Sequence, residues 1–123
     1  MNGTSKVHLP WIKLWVADFI TDSRVAMMSN AALGLYLRLL FVEWNEGPFS
    51  ADHSVLARIT HTSFREFAKL WPEIAPLFTQ TADGRLMQRR LERERADAEE
   101  QHEHRKAGGK MTAIKRWGAA RDA

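Results

Sequence analysis

Cysteine is absent from this 123-residue chain, which excludes disulfides, thiolate nucleophiles and cysteine-based zinc sites together. No apolar run is long enough to cross a bilayer, because the longest, around Leu33 to Val42, is interrupted by Arg38. Met1 to Lys6 offers no basic stretch followed by an apolar segment, as a signal peptide would. The expectation is therefore a cytoplasmic protein that does not enter a membrane. No phosphate loop of the form GxxxxGKS or GxxxxGKT occurs, so ATP hydrolysis has no visible machinery. Among possible metal ligands, Glu99, Glu100, His102 and His104 are close in sequence, but the two histidines, two residues apart on a helix, diverge. Asp18 and Asp22 fit helix capping or a turn better than a catalytic carboxylate pair. These absences point to a protein that is not an enzyme and needs no cofactor.

What is present is enough apolar material for a core, 45% of residues, with five Trp and six Phe. The net charge of +3 is unevenly placed. Residues 1–104 hold 12 basic and 14 acidic side chains, and residues 105–123 hold 6 basic and 1 acidic. The positive excess thus belongs to the last nineteen residues, a distribution suited to a polyanion or an acidic partner surface.

Residues 1–10 read as a flexible arm. Trp11 to Phe19 fits neither the helical nor the extended period. Ser29 is then an N-cap for a helix over about 30–45, with Leu33, Tyr36, Leu37, Leu40, Phe41 and Trp44 on its inward face and Gly47-Pro48 ending it. A shorter helix follows Ser50 as N-cap, with Asp52 near its positive end and Val55, Leu56 and Ile59 inward. After the turn Thr60-His61-Thr62, Ser63 and Glu66 form a capping box for a third helix. Its inward residues are Phe64, Phe67, Ala68 and Trp71, and Pro72 should end or kink it near Trp71. Leu77 to Thr81 and Arg85 to Gln88 form two strands around Asp83-Gly84. Arg89 to Lys106 is a charged helix with i,i+4 pairs Arg90/Glu94, Arg93/Asp97 and Arg95/Glu99, stopped by Gly108-Gly109.

Three helices followed by a hairpin is the chain order of a winged helix-turn-helix, in which the third helix is the recognition helix. The fold class expected is mainly α with a small β-hairpin. A winged helix-turn-helix-like domain (11–88) is followed by a charged helix (89–106) and a basic tail (107–123).

The residues also carry a resemblance. Trp15 to Ser23, then Ser29 with Ala32-Leu33-Gly34-Leu35-Tyr36-Leu37-Arg38-Leu39-Leu40, then Trp44 before Gly47-Pro48, are similar to the opening of the YdaU-like prophage family, a domain of unknown function. The similarity continues through Leu56-Ala57-Arg58-Ile59, Phe78, Asp83-Gly84-Arg85 and Arg90-Leu91 to Ala107-Gly108-Gly109-Lys110 and Arg116-Trp117-Gly118, about 14–118 in all. It departs at Val16-Ala17, where the family more usually has Pro-Gly before the aspartate matched by Asp18. Family members often carry more sequence after the basic Trp-Gly motif, and the expectation for this chain is no separate partner-binding domain. The resemblance implies phage or prophage replication regions and likeness to the winged-helix domains of replication initiators and replisome organisers.

For DNA, the candidates in the third helix and its approach are Arg58, His61, Thr62, Arg65 and Lys69, with Arg85 at the wing. In the tail they are Arg105, Lys106, Lys110, Lys115, Arg116 and Arg121, with Trp117 able to stack on an unpaired base. The expected function is DNA binding in replication initiation, on double- or single-stranded DNA, and a homo-oligomer is compatible with it. Two alternatives stand beside it. One is an adaptor for a replicative helicase or loader, in which Met111, Ile114 and Trp117 dock as a short helix. The other is a transcriptional regulator, which uses the same fold.

Overall fold

The computed structural model describes the backbone of residues 9–122 and the side chains through residue 108. The expected arm therefore lies almost wholly outside the described residues. The elements are α1 (Val16–Thr21), α2 (Ser23–Ala26), α3 (Asn30–Glu46), α4 (His53–Ile59), α5 (Phe64–Ile74), a 3-10 turn (Ala75–Leu77), β1 (Thr79–Gln80), β2 (Leu86–Met87) and α6 (Arg89–Asp122). The protein is mainly helical, with an antiparallel hairpin and a long C-terminal helix. Phe49, between α3 and α4, adds an isolated bridge to Leu86 through both backbone hydrogen bonds, at 3.0 and 2.8 Å. Helix, single bridge, helix, helix, hairpin is the connectivity of a winged helix-turn-helix.

α3 is the central element. Its Ser29 cap is present: Ser29 Oγ accepts from Ala32 N at 3.2 Å. The Glu73 carboxylate accepts from Ser29 N at 2.9 Å and from Ser29 Oγ at 3.2 Å, tying the end of α5 to the start of α3. The buried face consists of Ala32, Leu35, Tyr36, Leu39, Leu40, Glu43 and Trp44. That phase differs from the expected one, for Leu33 and Leu37 are half-buried and Phe41 is 50% exposed. Nearly continuous apolar sequence gives a wide arc whose centre periodicity alone does not locate. Around α3 runs a chain of ring contacts: Phe19 stacks on Tyr36 at 5.6 Å, Tyr36 meets Phe78 edge-on at 5.7 Å, and Phe78 meets Trp71 at 6.1 Å. Trp71 continues to Phe67 at 5.4 Å, so α1, α3, α5 and the hairpin share one aromatic seam.

Several local expectations are corrected. Asp52, not Ser50, caps α4, accepting from Ser54 N at 2.8 Å, while Ser50 Oγ accepts from Asp52 N. Val55 and Ile59 on α4, and Phe64 and Ala68 on α5, face outward; the inward residues are Leu56 and Ala57, then Phe67, Leu70 and Ile74 with half-buried Trp71. α5 passes through Pro72 to Ile74. The carbonyl that loses its partner belongs to exposed Ala68, where water can serve it, and buried residues on both sides hold the helix. The strands are shorter than expected because Pro76 places Leu77 in a 3-10 turn and Gln88 caps α6. α6 does not stop at Gly108-Gly109 but runs to Asp122. Two glycines cost about 1 kcal/mol each relative to alanine, which the helix formers on either side offset.

α6 is fixed by a buried polar cluster that charge periodicity does not announce. Glu43 is 0% exposed, and its carboxyl oxygens accept the Gln88 backbone N–H at 2.9 and 3.1 Å. Gln88 Oε1 in turn accepts from Leu91 N at 2.7 Å, closing the first turn of α6. Burial, then the hydrogen bond with Glu92, pushes the Glu43 carboxyl up to about 9. At neutral pH it is therefore protonated, an acid able to donate to Glu92, whose Oε2 is buried with no hydrogen-bond partner. Arg95 completes the cluster. Its Nε donates to Trp44 O at 2.9 Å, and its guanidinium pairs with Glu92 at 3.0 Å and Glu99 at 3.4 Å. Gly47 permits this approach, with φ of 87° and the Arg95 guanidinium 3.4 Å from where a Cβ would stand. From the other side, residues 9–18 form a strap along α6. Trp44 Nε1 donates to Leu9 O, Lys13 pairs with Glu94 at 3.5 Å, and Arg90 lies over Trp15 while pairing with Asp18. Arg90 thus takes Asp18 in place of the expected Glu94; Arg95/Glu99 forms as expected.

The unfolded chain releases the Glu43 proton near pH 4.5 and the folded one near 9, so the folded state binds more protons between them and loses stability as pH rises through that interval. Glu43→Gln keeps an acceptor for Gln88 and a permanent donor for Glu92. Thermal melts of this variant from pH 5 to 9, set beside the wild type, should show that part of the decline removed. Glu43→Leu, which strands both partners, should lose about 1–3 kcal/mol for each.

Candidate nucleic-acid interface

The turn between α4 and α5 is built by backbone geometry. Thr60 caps α4, His61 N donates to Arg58 O at 3.1 Å, and Thr62 N reaches back to Ala57 O at 2.9 Å. These two bonds are a Schellman motif, which requires a left-handed residue after the cap. That residue is His61, with φ of 57°, the one non-glycine at positive φ among the described residues. Buried Thr60 locks the turn by donating Oγ1 to Leu56 O at 2.7 Å. Ser63 then caps α5, accepting from Glu66 N at 3.1 Å, which is the forward half of the expected capping box.

This turn sets α5 with Phe67, Leu70 and Ile74 in the core, and helical spacing places Arg65 and Lys69 on the opposite, exposed face. Arg58 is exposed on the outer side of α4. Among the described residues, none of these three cations has a hydrogen bond or an ion pair. The acids of α5 are unequal: Glu73 is occupied by Ser29, and Glu66 stays exposed in the first turn. Thr62 is half-buried and its hydroxyl is engaged, donating to Thr60 O at 3.2 Å with Thr60 Oγ1 also 3.2 Å away. The structure therefore puts Arg65 and Lys69 on one exposed face of α5, leaves Arg58 exposed on α4, and uses Thr62 within the turn. Beside the cations, Phe64 is 56% exposed, and Val55 and Ile59 are also partly open.

The wing is different. Gly84, with φ of 85°, closes a turn in which its N–H donates to Thr81 O at 3.0 Å. Arg85 donates to Pro48 O at 3.2 Å and pairs with Asp83 at 3.6 Å, so it braces the hairpin against the segment after α3. The exposed tip carries Asp83, held below its ordinary value chiefly by the Thr81 hydroxyl. Lys106 and Arg105 are exposed on α6. The side chains of Lys110, Lys115, Arg116, Arg121 and Trp117 lie outside the described residues, and only their place on the α6 backbone is given. Sequence reasoning missed Glu43, the contacts of Arg95 with Trp44 O and Glu92, and the strap contacts of Leu9, Lys13, Trp15 and Asp18; for Glu43 the available signal was its spacing of four and seven from Leu39 and Tyr36.

Residues 10–96 match the family described as Protein of unknown function (DUF1376), and the chain belongs to that family. No curated protein and no solved structure matches it. The matched span opens on the strap and closes one residue after Arg95, so it contains both the helix-turn-helix and the Glu43–Glu92–Arg95 cluster. Among the described residues no helix is long and apolar enough to cross a membrane.

The left-handed turn position gives a direct check. Glycine at 61 removes the steric penalty of the left-handed region, whereas a β-branched residue adds to it. His61→Gly should match or exceed the wild-type melting temperature, and His61→Val should lose roughly 1–3 kcal/mol in denaturant unfolding.

Proposed function

We propose that this protein is a non-catalytic DNA-binding domain of phage or prophage type that acts in replication initiation, with α5 as the helix presented to duplex DNA. The observation that carries the reading is the exposed face of α5, just after a helix-turn-helix bend, on which Arg65 and Lys69 stand one helical turn apart, with Arg58 exposed on α4. Such cations can lie against phosphates or, within the major groove, reach guanine edges. The replication context rests on the family resemblance of the sequence. Arg85 and Thr62 contribute by fixing the wing and the turn, and the basic residues from Lys106 onward add nonspecific attraction along the backbone.

A second reading, an adaptor that engages a replicative helicase or loader, is favoured by one observation. Phe64, Val55 and Ile59 are open on the same two helices, and apolar side chains suit a protein partner better than phosphates.

The two readings separate under mutation. In duplex titrations at several salt concentrations, Arg65→Ala with Lys69→Ala should weaken binding at least tenfold and lower the log–log salt slope by about 1.8, the value for two phosphate contacts. Unchanged affinity and slope in the double variant, together with loss of helicase or loader binding in Phe64→Ser, would establish the adaptor instead.

A further inference from the structure

We infer that the groove between the N-terminal strap and α6 is a binding site for unpaired nucleic-acid bases. The groove encloses about 420 Å³, within the range of ligand sites, and shares no residue with the α4–α5 surface. Its apolar wall is made by Leu9, Trp11, Trp44 and Ala98, and its polar rim by His102 and Arg105. Two features set it apart from an ordinary surface crevice. Trp11 is 74% exposed although it lies beside a tryptophan that is almost fully buried. Trp44 is fixed by its bond to Leu9 O, so the strap, and Trp11 with it, is anchored to α3.

Leaving a large indole in water forgoes burial that could stabilise the fold by a few kcal/mol, and an open ring beside cations is the platform on which an unpaired base stacks. The charge on the rim is complementary to phosphate. Lys13 pairs with Glu94 at 3.5 Å, and helical spacing turns Glu99, Glu100 and Glu103 away from the face that carries Ala98, His102 and Arg105, with Asp97 at the edge of that face one turn before Gln101. Glu99 is also drawn toward Arg95. An acidic peptide would satisfy the cations but would leave Trp11 with no flat partner. A single strand satisfies both, a base against Trp11 and a phosphate against Arg105, with Gln101 and His102 able to donate or accept at base edges.

Fluorescence anisotropy with a labelled oligothymidylate tests this on the full chain. Trp11→Ala should weaken binding roughly 5- to 150-fold, the range for loss of one base stack, and Trp11→Phe should retain most of it. Arg105→Ala should lower the salt slope by about 0.7. Trp11→Ala should leave duplex affinity at its wild-type value, and Arg65→Ala with Lys69→Ala should leave the Trp11 effect intact, so the two sites fail independently. Oligothymidylate affinity that stays within about twofold in Trp11→Ala overturns the proposal. So does polyglutamate binding as tightly as oligothymidylate, which would mark the groove as a surface for acidic protein. Because Trp11 is exposed, its variants should melt with the wild type.

Discussion

A single buried carboxyl sets the arrangement of this molecule. Glu43 stands in the middle of the buried arc of α3, where a hydrophobic residue would be expected, and its oxygens receive the backbone N–H of Gln88. The N–H groups in the first turn of a helix have no intrahelical partners, and here one at the entry to α6 is satisfied by a side chain of another helix. The interaction fixes where β2 ends and where α6 begins. Leu91, fully buried three residues later, then contributes about 1.5–3 kcal/mol of apolar burial at the same junction. A buried acid with a proton to share and an arginine braced by a carbonyl give specificity of placement as much as stability.

The rest of the domain is organised around that junction. The hairpin is held at its near end by the bridge from Phe49 to Leu86 and by Arg85 reaching Pro48, both just after α3. α5 is bound to the opposite end of α3 through Glu73 and Ser29. Because α3 is grasped at both ends, the helix-turn-helix and the root of α6 keep a fixed relation. The family match, from the strap to just beyond Arg95, spans this unit. Well past it, the last nineteen residues carry the positive excess of the chain, and the described residues of α6 from Gln101 onward are exposed.

Local chemistry was legible in the sequence and long-range chemistry was not. Ser29 and Ser63 act as caps because a hydroxyl three residues from its N–H partner needs no information from elsewhere. The hairpin followed from Asp83-Gly84 for the same reason. The phase of the buried face of α3 was not legible, since Leu33 to Val42 is almost wholly apolar, and with the wrong phase Glu43 looks like a surface residue. Phe64, Val55 and Ile59 were expected inside on account of their side chains, yet all three are exposed, while Leu56, Ala57, Phe67 and Leu70 on the same two helices are buried. Of the candidate site, the pairing of Arg65 with Lys69 on one face was readable from their spacing. The roles of Thr62 and Arg85 as braces depended on neighbours 2 and 37 residues away, and only the folded chain shows the second. The strap had no period to read, because its order comes from contacts with α6.

The most direct test of DNA recognition by the α4–α5 surface is amide chemical-shift mapping of the isotope-labelled chain against a duplex at near-physiological salt. Saturable perturbations centred on Arg58 to Lys69, with smaller ones along α6, are the expected result. Perturbations confined to α6 beyond Lys106, with the amides of α4 and α5 unmoved, would contradict it.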